Sequence, residues 1–311
     1  PVGSNVLVVE NGVKLSNVSA AYDSTRRRGT DNILTQHEWQ IQVLQAQLQD
    51  AEHHIQALLS SSSSEKNSNN DTMEMMQQHS TNNNLLCLRR INFECKPGEF
   101  VAIVGGVGCS KSSLLHAILG EVRVLTGSTI SVRGSLAYFS QTPFILNATI
   151  RDNILFGHVH DDVINEELYK TCIQCCALVH DLEQLPDGDQ TEVGEKGLTL
   201  SGGQKARIAL ARAVYHQADI TIIDDALSAV DAHVAKVLFE QAFMELVRPT
   251  NGQQRSLILV TNALQYLNHP RVDRIVVLRE GAIAEQGTYQ ELANQQNSVF
   301  ARFLSVLGES G

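Results

Sequence analysis

The run Phe100-Val101-Ala102-Ile103-Val104-Gly105-Gly106-Val107-Gly108-Cys109-Ser110-Lys111-Ser112-Ser113 decides how the chain is read. Five apolar residues bounded by glycine predict a buried strand, and the residues from Lys111 to Leu119 predict a helix. Strand, glycine-rich loop and helix start is the setting of a phosphate-binding loop, because backbone N–H groups and the helix N-terminus together hold phosphate oxygens. In that reading Gly105, Gly108, Cys109, Ser110 and Ser113 line the loop, Lys111 reaches the β- and γ-phosphates, and the Ser112 hydroxyl meets Mg²⁺. One position departs from the pattern. Glycine belongs directly before the lysine, and Ser110 puts a side chain where the backbone should approach the phosphates. Alone, so imperfect a loop is also compatible with a tight strand-to-helix turn that holds no ligand.

Working outward toward the C-terminus, strands alternate with helices. Ile220 to Ile223 and Ser256 to Val260 read as further buried strands, and Arg274 to Leu278 with Ala282 to Gln286 as a hairpin turned at Glu280-Gly281. Helices are predicted over Asp161 to Leu182, Gln204 to His216 and Ala232 to Leu246. The pattern is α/β with a parallel core. Leu200-Ser201-Gly202-Gly203-Gln204 stands before one helix, which carries Arg207 and Arg212, and again offers N–H groups and a favourable dipole end to an anion. Further on, Asp224 closes the apolar strand Ile220 to Ile223 with a carboxylate placed to coordinate Mg²⁺.

Toward the N-terminus the composition shifts. Asn5 to Val9 and Val13 to Ser19 read as strands, whereas residues 23 to 84 read as an insertion. Within it, Leu34, Ile41, Leu44, Leu48, Ala51, Ile55 and Leu58 form the stripe of an amphipathic helix over about 33–59, lying on its own domain or meeting a partner. The Ser-, Asn- and Gln-rich stretch from 60 to 84 cannot bury enough apolar surface to order itself. Arg26-Arg27-Arg28-Gly29-Thr30 fits either a solvated basic cluster or a kinase site. The whole chain has 311 residues, 43% apolar, with 24 basic and 34 acidic side chains, a net charge of −10. That balance argues against a broad nucleic-acid surface. The apolar runs have strand length, far below the roughly 20 residues of a spanning helix, and Val6 to Val9 is too short for a signal peptide. Six cysteines make no disulfide framework and fit a reducing compartment. Cys172, Cys175 and Cys176 read as helix packing rather than a metal site. A start at Pro1 rather than Met reads as a piece of a longer protein.

With loop, pentapeptide and acid-ended strand in this order, the chain resembles the nucleotide-binding domain of ATP-binding cassette (ABC) transporters. Leu200 to Gln204 matches the family signature letter for letter. The resemblance covers about residues 5–22 and 85–305, and implies a P-loop NTPase fold of the ABC-ATPase type: a parallel-sheet core, an antiparallel β subdomain and a helical signature subdomain. Residues 1–22 would supply its first strands and 85–311 the remainder. By position, Tyr22 resembles the aromatic that stacks on adenine, Gln141 the glutamine that touches Mg²⁺ and senses the transmembrane part, and Asp231 the loop that crosses to the partner domain. The stretches Pro143 to Gly157 and Leu185 to Asp189 resemble class C members, the multidrug-resistance-associated transporters. The short span from Lys111 to Gln141 and the intact signature resemble the first of their two cassettes. ATP and Mg²⁺ as ligands, ATP hydrolysis coupled to transport, a second cassette and transmembrane domains as partners, and a place at the cytoplasmic face of a membrane all follow from the resemblance.

The resemblance also shows three departures. The family's general base is glutamate, and Asp225 stands there; its switch histidine is Asn262; and Ser110 replaces the loop glycine. Aspartate is one methylene shorter, and misplacement by about 1 Å can cost ~10²-fold in rate. Asparagine can donate a hydrogen bond but cannot supply an imidazolium. Because this family binds each ATP between the loop of one cassette and the signature of another, the departures imply asymmetry. The site on Lys111, Asp224 and Asp225 should bind ATP and turn it over poorly. The site that receives Ser201, Gly202, Gly203 and Gln204 should be the active one. A nucleotide-sensing gate without effective hydrolysis is the alternative, and a soluble ABC ATPase fits less well.

Overall fold

A computed structural model describes residues 12–21, 86–125, 127–157, 164–194, 199–248 and 252–308. The chain divides into two compact units, Pro1–Ala21 with Leu86–Gly311, and Tyr22–Leu85, and every described residue belongs to the first. The strand expected at 5–9, Tyr22, the Arg26-Arg27-Arg28-Gly29-Thr30 cluster, the helix expected at 33–59 and the polar stretch at 60–84 lie outside the described residues.

In chain order the described strands are β1 (Gly12–Ala21), β2 (Leu86–Cys95), β3 (Phe100–Val104), β4 (Arg123–Val124), β5 (Thr129–Arg133) and β6 (Leu136–Phe139). They continue as β7 (Ala148–Thr149), β8 (Glu192–Val193), β9 (Ile220–Asp224), β10 (Ser256–Val260), β11 (Arg274–Arg279) and β12 (Ala282–Gly287). The central sheet runs β12-β11-β3-β10-β9-β6, parallel except for the β11–β12 hairpin. That hairpin turns at Glu280 and Gly281, with φ of 50° and 76°, the pair of left-handed residues that matches strand twist in a two-residue turn. A smaller antiparallel sheet joins β1 to β2, β4 and β5, and β7 pairs with β8.

Continuous apolar runs form the central strands because both faces are covered. Phe100, Ala102, Val104, Leu257, Leu259, Ile275 and Val277 face one core, shared with the helices Glu166–Cys175 and Gly202–Tyr215. Val101, Ile103, Ile258, Val260, Val276 and Leu278 face the other, shared with the antiparallel sheet and the helix Lys111–Ile118. Cys172 and Cys176 are buried in the first core. Burial pushes both thiols up, Cys172 to about 12. Glu285 of β12 accepts the N–H groups of Val299 (2.6 Å) and Phe300 (3.2 Å), capping the helix Val299–Gly308 from a neighbouring strand.

Two expected helices are built differently. The single helix expected over Asp161 to Leu182 is, among the described residues, two: Glu166–Cys175 and Val179–Glu183. They part at Ala177, whose φ is 53°. The Leu178 N–H bonds the Ile173 carbonyl (2.9 Å) and the Ala177 N–H that of Gln174 (3.0 Å), a Schellman stop built on alanine where glycine is usual. The helix expected over Ala232 to Leu246 begins as Ala232–Val237 and continues over Leu238–Val247 with wider winding. Its end shows that winding, with the Arg248 N–H bonded five residues back to Phe243 (3.2 Å).

Candidate nucleotide site

Parallel strands bring their C-terminal ends to one edge of a sheet, where ligands of open α/β folds gather. Here β10 lies between β3 and β9, with Val260 level with both Ile103 and Asp224. The Thr261 N–H bonds the Ile103 carbonyl (3.2 Å) and the Asp225 N–H that of Val260 (2.9 Å). The ends of three strands, and thus the loop Gly105–Ser110, Asp224–Asp225 and Asn262, are fixed together.

Lys111 donates to the carbonyls of Gly105 (2.7 Å) and Gly106 (3.1 Å), closing the loop on itself. The Ser112 hydroxyl donates to Asp224 Oδ2 at 3.1 Å. Asp224 is buried. Burial pushes its pKa up and the neighbouring Asp225 adds to the rise, while the Ser112 hydrogen bond and Lys111 oppose it. A serine hydroxyl and a buried carboxylate so close together form the oxygen donor set that a hard cation such as Mg²⁺ takes. Asp225, also buried, has φ of 52°, and the Asn262 amide donates to its Oδ2 at 3.1 Å. The Asp225 carboxylate and the Asn262 amide therefore hold each other.

Ser110 carries a backbone cost in the loop as well as a side chain. It caps the helix Lys111–Ile118 with φ of 76° and makes no side-chain capping bond, a left-handed conformation that costs an L-residue about 1–2 kcal/mol. Ser110→Gly is expected to remove about 1 kcal/mol of that strain and to lower the Kd for ATP. Titration calorimetry measures it, and unchanged affinity would show that the serine is harmless.

Gln141 is exposed, two residues beyond the end of β6, whose Phe139 is level with Ile223 of β9. Tyr22 directly follows β1 but lies outside the described residues.

The helix Gly202–Tyr215 begins within the pentapeptide Leu200–Gln204. Ser201 caps it: its hydroxyl accepts the Gln204 N–H (3.2 Å), and the Gln204 side-chain carbonyl accepts the Ser201 N–H (2.9 Å). This reciprocal pair satisfies two donors and leaves the first-turn N–H groups of Gly202 and Gly203 without acceptors inside the helix.

Sequence reasoning missed two supports of that helix. Asp181 accepts from Gln204 (2.9 Å) and Arg207 (2.6 Å). Arg212, in the third turn, donates to the Asn153 carbonyl (2.7 Å), Asn153 Oδ1 (2.9 Å) and the Phe144 carbonyl (3.0 Å), between the rings of Phe144 and Phe156. Burial pushes the Arg212 pKa down to about 10. The only sequence signal was an arginine on a helix that is otherwise buried at that turn.

Comparison with known proteins matches residues 88–228 to the ABC transporter family. Those residues form an ABC transporter domain. The cassette is 49% identical over 217 residues to mouse ATP-binding cassette sub-family C member 2, covering 69% of this chain and 13% of that protein. It is 46% identical over 221 residues to ABC transporter C family member 3 of Dictyostelium discoideum, covering 71% and 15%. With rat ATP-binding cassette sub-family C member 3 it shares 47% over 220 residues, covering 70% and 14%. The chain thus spans only about one-seventh of the length of these relatives. The fold is that of a P-loop ABC ATPase, and the matched span takes in the phosphate loop, the signature and Asp224–Asp225. No helix among the described residues of the cassette is long and apolar enough to cross a membrane.

Proposed function

We propose that the chain is the first cassette of a class C exporter, that it binds MgATP weakly and turns it over slowly on its own loop, and that it lends its signature to the ATP of a second cassette. The observation that carries this reading is Gly202. It is helical, and a methyl group built on it would meet nothing within 4 Å among the described residues. Neither backbone conformation nor internal packing calls for glycine there, although glycine weakens a helix by about 1 kcal/mol relative to alanine. Close approach by a group from another molecule, such as a phosphate on the first-turn N–H groups, accounts for it.

In the cassette's own half-site, Ser112 and Asp224, with Gln141 from its exposed loop, would hold Mg²⁺, and Tyr22 would stack on adenine. When bound, the ion neutralises charge on the phosphate oxygens. Lys111 exchanges its loop carbonyls for phosphate. Asp225 stands at the general-base position, one methylene short, and accepts one of the two amide hydrogens of Asn262. Transmembrane domains and a second cassette at the cytoplasmic face complete the assembly, consistent with relatives several times longer than this chain. Regulation through residues 23–84, by a kinase or a partner, belongs to the same proposal.

The purified domain is expected to bind ATP but show little ATPase activity in a phosphate-release assay. Brisk turnover without a partner, abolished by Asp225→Asn, would overturn the asymmetric reading. The Asp225–Asn262 bond also suits a nucleotide-sensing gate. Transport and channel current measured on the full-length protein separate the two.

A further inference from the structure

The signature helix is held at its start by a carboxylate from a different helix. Asp181 lies in Val179–Glu183, the short helix beyond the Ala177 stop. Its two oxygens serve two residues: Oδ1 accepts from the Gln204 amide at 2.9 Å and Oδ2 from the Arg207 guanidinium at 2.6 Å. A carboxylate accepts and does not donate. It therefore forces Gln204 to turn its NH₂ toward Asp181 and its carbonyl toward the Ser201 N–H, which it accepts at 2.9 Å. The orientation of the capping pair is set from outside the helix that it caps.

Arg207 depends on the same carboxylate. Its side chain is only 13% exposed and that of Asp181 19%, so the pair is largely shielded from water, where charge-assisted bonds are strongest. Among the described residues the Arg207 Nε is buried with no partner, and Asp181 is the carboxylate paired with this guanidinium. A methyl group on Gly203 would stand 3.4 Å from the Ala229 carbonyl oxygen and 3.6 Å from an Arg207 nitrogen, so Arg207 and the Ala229 carbonyl together back the glycine turn.

We propose that Asp181 is a positioning residue for the signature half-site, orienting Gln204 and Arg207 so that Ser201, Gly202 and Gly203 meet the partner cassette's ATP at the right depth. The inference rests on the assignment of Ser201–Gln204 to that ATP. Asp181→Asn turns one acceptor into a donor and leaves Gln204 or Arg207 facing an NH₂ group. Asp181→Glu keeps the carboxylate but moves it by about 1 Å.

The test uses the purified full-length transporter in lipid, with ATPase rates expressed per folded molecule. Asp181→Asn is expected to lower kcat about tenfold and Asp181→Glu about threefold, with KM for ATP within twofold of the parent, since shifts of about 1 Å at a site act on the reacting geometry. If Asp181→Asn does not fold, Asp181→Glu alone decides. Parental kcat in either folded variant overturns the inference, and so does a rise in KM with kcat unchanged. Gly202→Ala measured alongside separates the two levels: its parental activity would overturn the signature assignment itself, whereas its loss beside a parental Asp181 variant would overturn only the role of Asp181.

Discussion

Gly202→Ala is expected to leave the isolated cassette folded and to silence the full-length transporter. The added methyl meets no described atom of the chain, and alanine favours the helix by about 1 kcal/mol, so the melting temperature should hold or rise slightly. Under the proposed signature role the same methyl would stand beside the first-turn N–H groups that phosphate oxygens approach, and displacement by about 1 Å at a reacting centre can cost ~10²-fold. ATPase assays on membranes, paired with thermal melts of the isolated domain, check both halves. A large loss of stability would mean that glycine serves the fold of this chain, and the strongest support for a second molecule at the signature would be gone.

Arg212→Met should do the reverse, harming the fold before the chemistry. Methionine fills a similar length of apolar space but removes the donors to two main-chain carbonyls and one side-chain oxygen. Asn153 Oδ1 keeps the Leu146 N–H at 2.8 Å, whereas the Phe144 and Asn153 carbonyls lose the guanidinium. Each buried acceptor left unmatched costs about 1–3 kcal/mol, so the two together should cost about 2–6 kcal/mol. In a domain of this size that lowers the melting temperature by roughly 4–24 °C. Arg212→Lys should recover only part of it, because an ammonium cannot reproduce the fork that spans all three acceptors. A melt unchanged in Arg212→Met would show that water or rearrangement satisfies those carbonyls.

The parts of the cassette that were legible in the sequence are those fixed by local rules. β3 and β10 could be read because strands covered on both faces must be apolar without a break, and the β11–β12 turn because Glu280-Gly281 is a two-residue turn signal. The loop, the signature and Asp224 could be placed in order because each sits at a strand end or helix start. The stop at Ala177 was not legible, since alanine carries no signal for a left-handed residue and the motif depends on hydrogen bonds back to Ile173 and Gln174. Contacts between distant residues were equally hidden. Asp181 meets Gln204 across 23 positions, Asn262 meets Asp225 across 37, and Arg212 meets Asn153 across 59. At Ser110 the sequence shows a side chain where the loop pattern has glycine, but not the left-handed backbone at φ 76° that adds to its cost.

The grip of Lys111 on the Gly105 and Gly106 carbonyls has a kinetic meaning. An ammonium already holding two oxygens is not a vacant cation awaiting an anion, and capture of nucleotide becomes an exchange of one oxygen set for another. The loop is wound before the exchange begins, so little ordering is left to the encounter and the loop can close again behind a departing ligand.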